Sequence, residues 1–179
     1  NFLITVNPTP TVTPIADLTY CNNSLSSAVN ITGTGTGYTW TNSTPSIGIS
    51  FSGAGNIPSF TALNNLTSPV IATLTVTPDF TGGTVGCTGT AQTFTITINP
   101  TPLVNDLPDQ VVCNASSTAT LAFTGTGTAY SWVNTTPSIG LSASGTGNIP
   151  AFPATNTGST AVSSTITVTP QYLNAGVTC

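Results

Sequence analysis

The stretch TFTITINP (93–100) alternates apolar and polar residues in the two-residue period of a half-buried β-strand. Phe94, Ile96 and Ile98 fall on one face of that strand, and threonines occupy the other face. Two prolines follow directly, and because proline cannot donate a hydrogen bond to a sheet, the strand ends there. We therefore predict a domain boundary near Thr101.

A near copy of this stretch, FLITVNPTP, stands at residues 2–10, and the similarity extends through the whole chain. When each residue n is set beside residue n + 92, the 179 residues align without a gap. TPSIGISFSGAGNIPSF (44–60) falls on TPSIGLSASGTGNIPAF (136–152), and TLTVTP (73–78) falls on TITVTP (165–170). An ungapped match of this length predicts two copies of one module with a 92-residue period.

The predicted boundary divides the chain into three parts. Residues 1–8 are predicted to be the terminal strand of a preceding module, 9–100 a complete module, and 101–179 a module that lacks its last strand. The simpler interpretation is that the chain is cut from a longer tandem array. Alternatively, the strand at 2–7 completes the last module of a neighbouring chain by strand addition.

The fold class follows from short segments rich in Thr, Val and Ile that are separated by turn residues, with no helical periodicity. About seven such strands in each module predict an all-β fold, an antiparallel β-sandwich of immunoglobulin-like type. One face of the strand at 69–77 is predicted to line the core through Val70, Ala72, Leu74 and Val76. The other predicted strands of the complete module are 11–13 with 17–20, 27–32, 37–42, 47–52, 58–63 and 93–99.

Aromatic residues alternate on the third predicted strand. Tyr38 and Trp40 are predicted to pack in the core, as are Tyr130 and Trp132 in the second copy. An exposed platform that stacks on a ligand is the alternative for the tryptophans.

The four cysteines repeat with the module, because Cys21 and Cys87 are 66 residues apart and so are Cys113 and Cys179. One pair in each copy predicts one disulfide per module, Cys21–Cys87 and Cys113–Cys179. Closing a loop of this length stabilises a domain by about 4 kcal/mol. Disulfides also indicate an oxidising compartment outside the cytoplasm.

Composition excludes most reaction chemistry and several classes of partner. The chain has no Lys, Arg, His or Met, and its only acidic side chains are four aspartates. Without a histidine or a cation we expect no enzyme, and without Lys or Arg no nucleic-acid binding. No apolar run is long enough to span a membrane. We expect no cofactor, although Asp17 and its repeat Asp109 are weak candidates to hold Ca²⁺ at a module junction, and a hydrogen-bonded turn is the alternative.

The linkers between modules are short and rich in proline, which restricts its own φ and the conformation of the residue before it. Adjacent modules should therefore pivot little, and the array should behave as a semi-rigid rod. The linker residues are Asn7, Pro8, Pro10, Asn99, Pro100 and Pro102.

The combination of TVNPTP, YTWTNSTPSIGISFSGAGNIPSFTA, TLTVTP and TFTITINP resembles the PKD-like repeats of giant cell-surface proteins of Bacteroidota, of which SprB-type gliding-motility adhesins are members. The resemblance covers both copies. It implies a β-sandwich repeat in a very long, surface-anchored protein exported by type IX secretion, with no catalytic residues.

These observations together predict a structural repeat of an extracellular filament or adhesin at the cell surface, which supports attachment or gliding. Its expected partners are neighbouring modules, and copies of itself through lateral or head-to-tail association, because lysines do not protect its strand edges. One alternative is a glycan- or surface-binding module that uses the loops at 33–37 and 53–58. A more remote alternative is ice binding by the threonine rows at 73–77 and 93–97.

Overall fold

The computed structural model describes all 179 residues and divides them into two compact units, Asn1–Pro100 and Thr101–Cys179. The second unit begins at the position where the sequence predicts a module to begin. Both units are built of β-strands, and the only helical segments are two three-residue 3-10 turns, Pro45–Ile47 and Pro137–Ile139. The predicted all-β class is confirmed.

Six strands form the sheet of the first unit. Their order is β1-β6-β4-β2-β3, and β5 pairs with the distal half of β4. All neighbours are antiparallel except β1 and β6, which run parallel. The strands are β1 (Leu18–Cys21), β2 (Gly37–Asn42), β3 (Ser52–Ala54), β4 (Val70–Gly82), β5 (Val85–Thr88) and β6 (Gln92–Asn99).

Strands β4 and β6 supply the centre of the core. The alternation of their side chains places apolar residues on the inner face and threonines on the outer face, as predicted. Val70 is half-buried at the edge of this cluster. The buried inner-face residues of the two strands are Ala72, Leu74, Val76, Phe94, Ile96 and Ile98.

A second layer covers this face of the sheet. Its two segments run antiparallel, with a bridge between Val29 and Ile57 in which each backbone N–H donates to the other residue's carbonyl, at 2.9 and 3.0 Å. Ile31 and Phe60 from this layer pack into the same core as β4 and β6. The predicted strands at 27–32 and 58–63 are therefore present as irregular bridged segments, and the layering is consistent with a β-sandwich.

The predicted strand at 47–52 is wrong, because a turn occupies its first half. Gly48 has a φ of 101°, and a Cβ there would lie 2.2 Å from the carbonyl oxygen of Thr61. The buried amide of Asn42 holds the turn, since its Nδ2 donates to Ile49 O at 3.1 Å and its Oδ1 accepts from Thr44 N at 3.0 Å. The chain becomes extended only at Ser52.

The second unit has a smaller sheet of order β8-β7-β9 and a separate β10–β11 hairpin. Nothing in it corresponds to β6, and β9 starts at Ile166, whereas the residue aligned with the start of β4 is Val162. Only four apolar residues are buried in its core, namely Phe123, Trp132, Leu141 and Ile149. The strands are β7 (Ala129–Asn134), β8 (Ser144–Thr146), β9 (Ile166–Gln171), β10 (Leu173–Asn174) and β11 (Val177–Thr178).

In each unit a tryptophan packs flat against a glycine of the neighbouring strand. Trp40 pairs with Gly53, where a Cβ would lie 2.2 Å from Cζ2 of the indole. Trp132 and Gly145 have the same relation at the same distance. The tryptophans are only 5% and 6% exposed. A glycine at this position is therefore required for the indole to enter the core.

We expect Gly53→Ala to destabilise the first unit by about 1–3 kcal/mol, because the added methyl group displaces a buried indole that cannot move without strain. Urea unfolding followed by tryptophan fluorescence measures this loss. The matched control is Ser52→Ala, an exposed neighbour on the same strand, which should change stability little. Equal stability of Gly53→Ala and the control would show that the indole does not need the glycine.

Candidate assembly site

The structure does not contain the predicted cysteine pairs. Cys21 and Cys179 are each disulfide-bonded, whereas Cys87 and Cys113 are thiols. Cys87 is half-buried and Cys113 is exposed. The predictions of Cys21–Cys87 and Cys113–Cys179 are therefore wrong, although each module does carry one disulfide-bonded cysteine.

The sheet of the first unit explains why Cys21 and Cys87 cannot pair. Cys21 lies beside Asn99 at one end of β6, and we call this end of the unit the Asn99 end. Cys87 pairs with Phe80 on the β4–β5 hairpin, at what we call the hairpin end. On β4, ten residues separate Phe80 from Val70, the partner of Ile98, which is roughly 33 Å of extended strand. A disulfide requires Cα atoms within about 7 Å of each other.

The same arrangement holds for the cysteines of the second unit. Cys179 exchanges two backbone hydrogen bonds with Tyr172, at 3.0 and 2.9 Å, in the β10–β11 hairpin. These residues align with Cys87 and Phe80. Cys113 aligns with Cys21, far from the hairpin in sequence. Each module thus presents one cysteine on its hairpin and one on its β1 segment.

The predicted linker residues at the start of the chain are fixed on the hairpin end of the first unit. The Nδ2 of Asn7 donates to Gly82 O at 3.1 Å and to Val85 O at 2.9 Å. Pro10 is fully buried, and a Cβ at Gly89 would lie 1.9 Å from its carbonyl oxygen. The clamp by Asn7 was not predicted, since the sequence shows only an Asn-Pro pair with no indication of its acceptors.

The other linker residues differ in exposure. Pro8 is exposed, Pro102 is half-buried, and Asn99 and Pro100 are buried. Asn99 is the last residue of β6, so the chain leaves the first unit at the end opposite to the one where Asn7 is held.

Residues 2–6 form an unpartnered apolar segment. They belong to no strand, and Phe2, Ile4 and Val6 are 88%, 74% and 87% exposed. The residues that align with them, Phe94, Ile96 and Ile98, are at most 3% exposed in β6. The predicted terminal strand at residues 1–8 has no partner strand in this chain, and it stays a prediction about pairing with another module.

The second unit has an open edge in the position where β6 would pair. β9 has β7 on one side and no strand on the other. Ile166 and Val168 on β9 are only half-buried, although the residues that align with them, Leu74 and Val76, are completely buried. This edge on the second unit and the 2–6 segment on the first unit are two separate candidate surfaces for assembly.

The carboxylate of Asp17 serves as an extension of β1. It accepts a hydrogen bond from the backbone N–H of Thr95 at 2.6 Å, one residue before the pairing of Leu18 with Ile96 begins. This bond from the Thr95 backbone lowers the pKa of Asp17 below its usual value. Asp109 has no such partner, and no group of three or more His, Cys, Asp or Glu residues is clustered in the structure.

Asp17→Asn should lessen the dependence of stability on acid pH. A carboxylate whose pKa is lower when folded stabilises the protein above about pH 4, and this stabilisation is lost as pH falls through the folded pKa. Urea unfolding at pH 7 and at pH 2 should therefore show Asp17→Asn less stable than the wild type at pH 7 and nearly equal to it at pH 2. Asp109→Asn, the matched control, should follow the wild type at both values, and equal behaviour of the two variants would contradict this role.

Of the two loops predicted to bind glycans, 53–58 lies beside the core tryptophan, whereas 33–37 lies against Asp79. A shallow depression next to Trp40 is lined by residues of the turn at 48–50 and of the segment 52–63, and none of them is charged. The burial of Trp40 excludes it as an open stacking platform. Tyr38 and Tyr130 are half-buried and pack against the two cores.

The chain matches no protein-family model and no curated protein. The structure also contains no helix that is long and apolar enough to cross a membrane.

Proposed function

We propose that the chain is a structural repeat of a long extracellular filament or adhesin, a semi-rigid shaft that supports attachment or gliding at a cell surface. The observation that carries this proposal is the position of the linkers on the first unit. The chain enters at the hairpin end, where Asn7 is held, and leaves at the Asn99 end. A module whose termini lie at opposite ends of its long strands adds length with every copy.

The immunoglobulin-like and PKD-like identity of the module belongs to this proposal. In the order β1-β6-β4-β2-β3 the last strand, β6, lies between β4 and β1. The first strand, β1, runs parallel to β6. A second layer packs across that sheet. These features, together with the sequence resemblance to PKD-like repeats, support an immunoglobulin-like sandwich repeated every 92 residues.

The packing of the linker supports stiffness. Pro10 is buried against the unit that follows it, and the side chain of Asn7 is bound to two carbonyl groups of the same unit. Of the four linker residues 7–10, only Pro8 and Thr9 are exposed. A segment that is both proline-restricted and packed along its length leaves few rotations for a hinge.

The chemistry of the surface supports a position outside the cell, where the protein must resist proteases and changes in salt concentration. With no Lys or Arg, the chain has no trypsin-type cleavage site, and with only four acidic side chains its surface responds little to salt. Disulfide-bonded cysteines are compatible with an oxidising, extracellular setting. Export by type IX secretion in a bacterium of the Bacteroidota is the route that the sequence resemblance suggests.

Small-angle X-ray scattering of the 179-residue chain tests stiffness. We expect a well-defined distribution of interatomic distances, in which the largest distance is near two module lengths, about 60–80 Å. With disulfides reduced in both samples, the double variant Pro100→Gly/Pro102→Gly should broaden that distribution relative to the wild type, because glycine removes the restriction on φ.

The matched control is Pro58→Gly, an exposed proline outside the linkers, which should leave the distribution unchanged. A wild-type chain as broadly distributed as the double variant would contradict the shaft.

A further inference from the structure

We propose that residues 2–6 of one copy of this chain add to the open sheet edge of the second unit in another copy, as a strand in the position that β6 holds in the first unit. The inference rests on the proposed structural role and names the partner as a second copy of the chain. The proposal includes a disulfide between the two copies, from Cys87 of the donor to Cys113 of the acceptor.

The donor segment has the sequence of the strand that it would replace. FLITVN (2–7) and FTITIN (94–99) differ at two positions, and both changes keep an alternating apolar face. Phe2, Ile4 and Val6 are exposed by 74–88% in the chain, so docking removes a large apolar surface from water. An exposed apolar segment of this kind is a ready strand for an unpaired sheet edge.

The acceptor has no regular strand on either of the two segments that would flank β6. On one side, residues 162–165 are not in a strand, although the residues that align with them form the start of β4. On the other side, residues 110–113 are not in a strand, although the residues that align with them form β1. Val111 there is 97% exposed. Two segments that are strands beside β6 are thus irregular without it.

The register of the first unit fixes the register of the added strand. Val70 pairs with Ile98 and Leu18 with Ile96, so Val162 would pair with Val6, and Gln110 with Ile4. The added strand would be antiparallel to β9 and parallel to residues 110–113. Cys21 pairs with Asn99, which places Asn7 of the donor directly beside Cys113 of the acceptor.

Asn7 also brings the second thiol to the same place. In the donor its side chain is bound to Val85 O at 2.9 Å, two residues from Cys87 on β5. Cys87 and residues 5–7 line one surface depression. Strand addition therefore brings Cys113 of the acceptor and Cys87 of the donor to the two sides of one asparagine.

The repeat provides independent support for this pairing. Cys21 is the residue that aligns with Cys113, and Cys179 is the residue that aligns with Cys87, and both of them are disulfide-bonded. The positions left as thiols are thus the same two positions, one on a hairpin and one on a β1 segment.

Disulfide formation needs an oxidant, and a small-molecule disulfide such as oxidised glutathione supplies it. The thiolate of one cysteine attacks that disulfide and forms a mixed disulfide with one glutathione, while the other glutathione leaves as a thiolate. The thiolate of the other cysteine then displaces the second glutathione. The two protein thiols lose two electrons and two protons in total, and the oxidant becomes two molecules of glutathione.

A carboxylate without a partner also gains one. Asp17 accepts from the backbone N–H of Thr95, and Leu3 is the residue that aligns with Thr95. In the added strand the N–H of Leu3 would meet the carboxylate of Asp109, which makes no hydrogen bond in the single chain. This contact would fix the register at the start of the strand.

Single-cysteine variants provide the test, because the donor thiol Cys87 lies in the first unit and the acceptor thiol Cys113 in the second. Cys87→Ser and Cys113→Ser are each incubated with oxidised glutathione, alone and mixed, and examined on a non-reducing gel. Each variant alone should remain monomeric, and the mixture should give dimers only. The wild-type chain should give a ladder of longer products.

The cross-link is then located by mass spectrometry. One copy is labelled with ¹⁵N, and chymotrypsin is used since the chain has no site for trypsin. We expect a Cys87–Cys113 peptide that carries one labelled and one unlabelled partner. Dimers in either variant alone, a cross-linked peptide that joins any other pair of cysteines, or no cross-link in the mixture would each overturn the proposal.

Two variants in the donor segment separate strand addition from random contact between thiols. In the added strand, Ile4→Asn would place an amide in the core of the acceptor's second unit. We expect this change to slow cross-linking roughly ten- to a hundredfold. Leu3→Asn is the matched control. Its side chain aligns with Thr95 on the outer face, so it should cross-link at nearly the wild-type rate.

Neither change should affect folding of the monomer, because residues 2–6 lie outside every strand. Equal rates for the two variants would overturn the proposal. The stiffness of a single chain in scattering is unaffected by any of these results, so failure here remains distinguishable from failure of the shaft.

Discussion

Strand β6 pairs with β4 on one side and with β1 on the other, and its inner face fills the centre of the core. This double pairing determines how much of each module is regular. Where β6 is present, β4 runs for 13 residues and its inner side chains are completely buried. Where it is absent, the corresponding strand has 6 residues and the segment aligned with β1 pairs with no strand. The two units thus show one sequence pattern with and without its last strand.

The fold has no ion pairs between side chains, because the chain has no Lys, Arg or His. Polar side chains bind the backbone instead, and each closes a point where regular pairing stops. Asn42 holds the turn after β2, Asp17 continues β1, and Asn7 binds the hairpin. A hydrogen bond of this kind contributes about 1 kcal/mol, and more when an ionised group takes part. Many short contacts therefore replace the ion pairs of an average surface.

The sequence predicted those features that depend on local alternation. β4 and β6, their buried faces and the boundary after Pro100 all follow from a two-residue period that ends at proline. Features set by glycine were predicted less well. β5 (Val85–Thr88) lies in a glycine-rich stretch without alternation, and the turn at Gly48 depends on a left-handed conformation that the residue type allows but does not require.

The cysteine pairs could not be predicted from the sequence because periodicity shows how many cysteines a module has and not where they lie on the sheet. Cys21 and Cys87 are separated by the length of β4, which becomes apparent only once the register of β4 with β5 and β6 is known. The exposed start of the chain is a similar case. Its alternation is that of a strand, but a strand needs a partner, and the sequence alone does not say which chain provides it.

Hydrogen exchange of backbone amides tests most directly whether β6 organises the module. The measurement compares residues 70–73 of the first unit with residues 162–165 of the second, which align with them. In the monomeric chain we expect strong protection of 70–73, which pair with β6, and faster exchange at 162–165, which pair with no strand and in which only the Thr165 N–H is bonded, to Thr135 Oγ1 at 3.0 Å. Equal protection of the two segments would show that the module is complete without its last strand, and would contradict the account.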